Sequence, residues 1–143
     1  MPCEYSNTLG LFEAGVRPDA GPGQSEAPGR GLDAQRMLYD EASQIKALYI
    51  MGENPVVTFP KAKTVESALS GLEFLVVQDI MLTDTAKLAH VVLPAASWAE
   101  KEGTFIGATG IPQKAIKCAS ETGVSIPDWM IFRDLARAMQ KDL

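Results

Sequence analysis

Three short apolar runs, separated by helix-length stretches, constrain the fold of this chain more than any other feature of its sequence. The runs cover residues 47–51, 74–78 and 91–93. Unbroken apolar runs of this length are typical of parallel strands that are buried on both faces. The sequence therefore predicts an α/β protein. Its expected fold is a Rossmann-like, three-layer domain with a small, mostly parallel sheet of three or four strands and helices on its faces.

The composition changes near residue 31 and divides the chain into two parts. Residues 1–31 are rich in glycine and proline, which form no regular element, so we expect a partly mobile N-terminal segment. Residues 32–143 form the predicted Rossmann-like domain. Residues 103–127 read as an extended loop with one short strand near 113–116. We expect helices over 33–44, 64–70, 84–88 and from 128 onward, with caps at Asp33, Thr64, Thr83 and Asp128.

The charge and hydropathy patterns narrow the classes of partner. A net charge of −5, from 13 basic and 18 acidic side chains, argues against a nucleic-acid partner. No apolar run approaches the roughly 20 residues that span a bilayer, so no membrane insertion is expected. The N-terminal residues lack the basic-then-apolar pattern of a secretion signal, which indicates a cytoplasmic protein.

Few residues of the chain could bind a metal or act as a nucleophile. Cys3 and Cys118 are too isolated for a metal site, and we expect Cys118 to be a buried or half-buried apolar residue. His90 should stand partly exposed at the start of the third strand. Glu100 and Glu102 have a spacing that does not bring side chains together on a helix, so a solvated surface is expected. We therefore expect no catalytic residue and no metal ligand.

Polar residues follow the first two predicted strands. The first strand is followed by Gly52, Glu53 and Asn54, and the second ends in Gln78 and Asp79. In open parallel sheets, ligands bind beyond the carboxyl ends of the strands, so these residues are candidates for a binding site. A strand-ending turn at the first segment and a helix cap at the second are the ordinary alternatives, and both stay open.

The chemistry of these side chains suits a nucleotide. Glycine lets a backbone approach a ligand closely, and the amide of Asn54 can donate and accept. The carboxylate of Asp79 can accept two N–H donors from a guanine edge or a pair of ribose hydroxyls. Thr83 and Thr85 place hydroxyls at the start of a short helix, where a phosphate can bind. No Gly-rich phosphate loop accompanies them.

Two long segments of the chain resemble the molybdopterin oxidoreductase family, and within it the formate dehydrogenase alpha-subunit type. They are residues 45–55, with the sequence IKALYIMGENP, and residues 74–105, which include VVQDIMLTDTAKLAHVVLPAASWAEKEGTF. Pro127, Asp128 and Trp129 are also similar to that family. The resemblance implies a domain that holds a molybdopterin guanine dinucleotide. It places Gly52, Glu53 and Asn54 along the dinucleotide, and Gln78, Asp79 and Thr83 around its guanosine end.

The resemblance implies a partial or truncated domain of a formate dehydrogenase-type enzyme. The complete enzyme would oxidise formate, with the remaining domains or subunits as partners. This chain alone is not expected to be catalytic or to hold the cofactor, because the family's iron–sulfur domain and metal ligand have no counterpart in it. An exposed apolar edge or face would favour a homodimer.

A second interpretation belongs to another class of protein. A cofactor-free structural or interaction module would keep the fold, as a related domain does in the large iron–sulfur subunit of NADH:quinone oxidoreductase. Residues 106–112, which depart from the family's pattern after Gly103-Thr104-Phe105, favour this alternative.

Overall fold

A computed structural model describes residues 32–141 of the chain, apart from residues 41 and 108. The expected mobile segment 1–31, including Cys3, lies outside the described residues. The strands are β1 Ala47–Met51, β2 Phe74–Asp79, β3 Val91–Pro94, β4 Gly103–Ile106 and β5 Pro112–Ala115. The α-helices are α1 Pro55–Thr58, α2 Ala62–Ser70 and α3 Asp128–Ala138. Shorter helical turns are the π-helical turn Arg36–Asp40 and the 3-10 turns Ala42–Gln44 and Ala86–Leu88.

The three apolar runs form one parallel sheet with the order β1-β2-β3. Leu48 lies opposite Leu75, and Val77 lies opposite Val92. The predicted bounds of β1 are confirmed, and β2 and β3 each extend one residue further than predicted. The α/β fold class with a small parallel sheet is therefore confirmed.

One face of the sheet forms the hydrophobic core. Alternate residues of a strand point to opposite faces, so Ile50, Leu75 and Val77 share this side. They pack with Val65 and Leu69 of α2, both of which expose 1% of their surface or less. Leu38 from the π-helical turn, Leu72 and Ala86 complete the core.

Helix α3 lies on the opposite face. The ring of its Phe132 packs against Tyr49 of β1 with centroids 5.9 Å apart. Ile131 is buried, but Trp129 and Met139 expose 58% and 63% of their surface. The sheet therefore leaves these two apolar residues uncovered. The three strands are too narrow a surface to cover the whole apolar side of the helix.

The helix starts differ from prediction at two places. Helix α2 begins at Ala62, because the carbonyl of Lys61 already accepts the N–H groups of Thr64 (2.8 Å) and Val65 (3.3 Å). Thr64 is therefore not its cap. Asp128 is the first residue of α3 and not its cap, since its carboxylate is hydrogen-bonded elsewhere.

Two other predicted caps accept the expected hydrogen bonds. Asp33 Oδ1 accepts the N–H of Arg36 (2.9 Å), although the segment after it forms a π-helical turn and a 3-10 turn in place of one α-helix. Thr83 Oγ1 accepts the N–H of Ala86 (3.2 Å), at the start of a 3-10 turn that replaces the predicted helix.

An antiparallel hairpin occupies part of the region predicted as a loop. Strand β5 overlaps the predicted short strand, and β4 pairs with it, with Phe105 opposite Gln113. Residues 104–106 are of types that favour strands, but the run is short and the glycines at its two ends, Gly103 and Gly107, favour a loop. Within the part of the chain that the structure describes, no helix is long and apolar enough to cross a membrane.

Candidate functional site

The carboxyl ends of the three strands bring the predicted binding residues to one edge of the sheet. The N–H of Gly52 donates to the carbonyl of Gln78 (2.8 Å), and the N–H of Ala95 donates to the carbonyl of Asp79 (3.0 Å). These bonds continue the parallel ladder beyond β1 and β3. Gly52, Asp79 and Ala95 therefore stand in neighbouring positions along this edge, which we call the carboxyl rim.

Gly52 adopts a backbone conformation that favours glycine. Its φ is +62°, in the left-handed region, and a Cβ built on it would meet no atom within 4 Å. The residue is exposed. The turn thus requires glycine for its backbone angle, and the open space beside it leaves the main chain accessible to a ligand.

Asn54 links the end of β1 to the turn after β2. Its Oδ1 accepts both the N–H (3.1 Å) and the hydroxyl (2.7 Å) of Thr85. Thr85 is fully buried, and its Oγ1 accepts the N–H of Val56 (3.2 Å). Among the described residues, the side-chain nitrogen of Asn54 makes no hydrogen bond. This amide therefore has a structural acceptor and donors that remain available.

Glu53 is exposed beside the start of α1. Its Oε1 accepts the N–H of Asn54 (3.2 Å) and the hydroxyl of Thr58 (2.6 Å). A carboxylate at this helix end also meets the positive end of the helix dipole. Its second oxygen points to no partner among the described residues, so Glu53 can accept a further hydrogen bond.

Gln78, like Thr85, lies entirely inside the protein, with 0% of its surface exposed. Its Oε1 accepts the hydroxyl of Tyr49, and its Nε2 donates to Asp128 Oδ1 (2.6 Å). Both ends of the amide are thus engaged within the fold. Its neighbour on the rim, Asp79, is half-buried and uses Oδ1 to accept the N–H of Ile80 (2.7 Å).

Thr83 is half-buried in the turn after β2. Its oxygen accepts the N–H of Ala86 while its own hydroxyl hydrogen can still be donated. The structure therefore brings Gly52, Asn54, Asp79 and Thr83 to the rim and encloses Gln78 beneath them. Hydrogen-bonding capacity is left on the side chains of Asn54, Asp79 and Thr83.

The expectation that Glu100 belongs to a solvated surface is wrong. The residue exposes 8% of its surface and accepts the hydroxyl of Thr122 and the N–H of Ser97 (2.8 Å). These hydrogen bonds, the one from Thr122 first, lower the pKa of the carboxyl from 4.5 to about 2. The Glu100 carboxylate thus connects the turn after β3 to the loop before α3 through its hydrogen bonds.

Cys118 and His90 lie elsewhere. Cys118 is exposed, so the expectation of a buried apolar residue is wrong. His90 is exposed just before β3 as predicted, and its Nδ1 accepts the N–H of Leu75 (3.0 Å). In the described part of the chain, no group of three or more histidine, cysteine, aspartate or glutamate side chains could hold a metal ion.

Sequence reasoning missed the residues that hold Gln78 in place. Tyr49 lies inside an apolar run, the sequence predicts Asp128 as a cap, and Lys101 pairs with Asp128 from a charged turn. The available signal was Gln78 itself, because a buried amide at a strand end requires hydrogen-bond partners.

Comparisons with known proteins give the chain its family. A family model described as molybdopterin oxidoreductase matches residues 25–138. The chain is 42% identical over 150 residues to the F420-dependent formate dehydrogenase subunit alpha of Methanocaldococcus jannaschii, covering 94% of this chain and 22% of the relative. It is 37% identical to the NADPH-Fe(3+) oxidoreductase subunit alpha of Geobacter sulfurreducens, covering 92% of this chain and 17% of the relative.

A solved structure has the same fold. Acetylene hydratase from Pelobacter acetylenicus matches with a TM-score of 0.67 and 21% identity, over 78% of this chain and 16% of that one. The chain spans about a fifth of the length of the curated relatives it matches. With a family model covering most of its residues, the chain belongs to the molybdopterin oxidoreductase family.

Proposed function

We propose that the carboxyl rim forms part of the binding site for a molybdopterin guanine dinucleotide in a formate dehydrogenase-type enzyme. One observation carries this proposal: Gly52, whose main chain is open to close approach, and Asp79, whose carboxylate keeps acceptor capacity, stand in neighbouring positions at the ends of adjacent strands. A dinucleotide could pass close to the main chain at Gly52, whose N–H already donates to Gln78, while its guanine edge donates to Asp79. The similarity to formate dehydrogenase alpha subunits supports the choice of ligand.

Asp79 is the proposed guanosine-binding residue. A carboxylate offers about four acceptor sites on its two oxygens, and Asp79 uses one oxygen for Ile80. The remaining capacity suits the two N–H donors of a guanine edge. Thr83, whose hydroxyl hydrogen stays available, would donate to the same end of the ligand.

Gly52, Glu53 and Asn54 would lie along the rest of the dinucleotide. The space beside Gly52 allows a close approach of the main chain, and the Asn54 amide nitrogen can donate to a phosphate or pterin oxygen. Gln78 would support the site from beneath, since its side chain is engaged within the fold. When bound with its metal, the cofactor would supply the redox chemistry.

The whole activity, oxidation of formate, needs more than these residues. The described chain holds no cluster of potential metal ligands, and it spans about a fifth of its relatives. We propose that it contributes cofactor contacts and is not catalytic alone. Its proposed partners are the remaining domains or subunits of such an enzyme, and by itself it is proposed to form a homodimer.

A second candidate function is a cofactor-free structural module. The engagement of the Gln78 amide by Tyr49 and Asp128 favours it, because one predicted ligand contact is already used by the fold. Under this alternative, the rim residues serve only as turns and caps.

A thermal-shift titration with GDP separates the two candidates. GDP represents the guanosine diphosphate end of the cofactor, and ADP reports on base specificity. Ligand at about 100 times its dissociation constant adds roughly 2.7 kcal/mol, or several degrees in a domain of this size. We expect a shift with GDP that exceeds the shift with ADP and that disappears in Asp79→Ala.

Asp84→Ala is the matched control, because it removes an equal charge from an exposed carboxylate that pairs with Lys87 in the neighbouring turn. Each variant is compared with its own ligand-free melting temperature. A shift kept by Asp84→Ala and lost by Asp79→Ala supports the dinucleotide site. No shift at millimolar GDP in the unmodified protein would favour the structural module.

A further inference from the structure

A chain of hydrogen bonds beneath the rim joins elements that are distant in sequence. Tyr49 of β1 donates to Gln78 Oε1, Gln78 Nε2 donates to Asp128 Oδ1 of α3, and the Lys101 ammonium pairs with Asp128 Oδ2. The bond from Gln78 to Asp128 spans 50 residues of sequence. We call these four residues the Gln78 network.

The burial of this network makes its hydrogen bonds consequential. Gln78 is fully buried, and the side chains of Lys101 and Asp128 expose only 26% and 27%. A buried amide that loses its hydrogen-bond partner stays without water to replace that partner, which is unfavourable. When an exposed ion pair breaks, water solvates both charges. The position of Asp128, and with it the first turn of α3, is therefore tied to Gln78.

The network also adjoins the rim directly. The carbonyl of Gln78 accepts the N–H of Gly52, and Asp79 follows it in sequence. Any movement of Gln78 would shift both residues of the proposed ligand site. Burial, and to a lesser degree the charge of Asp128, raise the pKa of Tyr49, which further favours the protonated hydroxyl that the network needs as a donor.

We propose that Gln78 is a positioning residue that couples the ligand site at the rim to the first turn of α3 through Asp128. The coupling of ligand binding to α3 rests on the proposed function, whereas the role of the network in holding α3 does not. In the absence of ligand, the network holds the start of α3 against the sheet. Coupling between two sites is reciprocal. If an ordered start of α3 favours ligand binding at the rim, then ligand binding also favours the ordered start of α3.

Hydrogen exchange of the full chain tests the two halves separately. Gln78→Met keeps the side-chain volume and removes both hydrogen bonds. Without ligand, we expect the α3 peptide 127–139 to exchange about tenfold faster in this variant, since local opening of the helix becomes easier. Asp128→Asn, which keeps an acceptor for Gln78 and loses the Lys101 ion pair, should show a smaller increase.

Glu121→Gln is the control, because it weakens an exposed ion pair with Lys117 away from the network. Its α3 exchange should match that of the unmodified protein. Unchanged α3 exchange in both Gln78→Met and Asp128→Asn would overturn the proposal that the network holds the helix.

Exchange with GDP present tests the coupling. In the unmodified protein, GDP should slow exchange in rim peptide 50–58 and also in α3. In Gln78→Met, the slowing at α3 should be lost even where the rim is still slowed, a result that a purely structural role would not produce. Equal slowing of α3 in both proteins would overturn the coupling.

The failure of the proposed function has a different signature. If GDP slows exchange nowhere in the unmodified protein, the ligand proposal fails together with the coupling. Faster α3 exchange in ligand-free Gln78→Met would then still support the structural half of the inference.

Discussion

Gly52 has a backbone conformation that favours glycine, and it also lies in the proposed ligand site. Its φ of +62° lies in a region that costs residues other than glycine about 1–2 kcal/mol. No atom would contact a Cβ at this position, so that cost comes from the backbone alone. The same Cβ would occupy space through which the proposed ligand would approach.

We predict that Gly52→Ala lowers the free energy of unfolding by about 1 kcal/mol and abolishes any GDP-dependent thermal shift. Urea denaturation and the shift assay measure the two effects. Gly103→Ala is the control, since its Cβ would also meet no atom within 4 Å and its φ is not in the left-handed region. Equal losses in both variants would contradict the role of the backbone angle.

Glu100 shows how local hydrogen bonds turn an acidic residue into part of the fold. The hydroxyl of Thr122 and the N–H of Ser97 hold the pKa of its carboxyl at about 2, below the ordinary value of 4.5. A carboxyl with a lowered pKa in the folded state stabilises the protein above its unfolded pKa. That contribution is lost as the pH falls towards the folded pKa.

We therefore predict that Glu100→Gln is less stable than the unmodified protein near neutral pH, and that the difference shrinks between pH 4.5 and about 2. Chemical denaturation at a series of pH values provides the measurement. Glu102→Gln, two residues away and exposed, should show a much smaller difference. A difference that stays constant across this pH range would contradict the assignment.

At the scale of elements, α2 begins at a strained residue. Lys61 occupies the N-cap position with φ 57° and ψ 55°, and its side chain makes no capping hydrogen bond. Its carbonyl nevertheless starts the helix by accepting the N–H groups of Thr64 and Val65. The helix is kept because Val65 and Leu69 are buried in the core.

Removing this strain should stabilise the protein. We predict that Lys61→Gly raises the free energy of unfolding by roughly 0.5–1 kcal/mol, because glycine adopts the left-handed conformation without cost. Lys63→Gly makes the same chemical change inside the helix and should lower the stability by about 1 kcal/mol. Thermal and urea unfolding of both variants test the pair, and a loss of stability in Lys61→Gly would refute the strain.

At the scale of the whole molecule, large apolar side chains are left uncovered. Trp129 and Phe132 of α3 and Met139 just after it expose 58%, 36% and 63% of their surface. Exposed apolar area of this kind on a small protein favours association. In a longer family enzyme, other domains would cover these apolar side chains. For the isolated chain, a second copy of the same chain would cover them.

We predict that the isolated chain has a mass of about twice 15.4 kDa in light scattering at working concentration, and that Trp129→Glu reduces it towards the monomer. Trp98→Glu is the matched control, because Trp98 is 71% exposed and lies outside α3. A monomeric unmodified protein would rule out the dimer, and equal effects of the two substitutions would rule out the α3 face as its interface.

The sequence alone determined the parallel sheet and the location of the rim. An apolar run ended by glycine or by a polar residue is a local pattern, so the bounds of β1 and the positions of Gly52 and Asp79 at strand ends follow from it. The family resemblance in residues 74–105 was equally readable.

Only the tertiary structure decided which polar residues are exposed and which are engaged inside the fold. Gln78, Glu100 and Asp128 find their partners 50, 22 and 27 residues away in sequence, at contacts that no local pattern encodes. Where the start of α3 meets β2 depends on how the helices cover a three-strand sheet. For the same reason, the sequence could name Gln78 as a candidate for the site but could not show that its side chain lies beneath the rim.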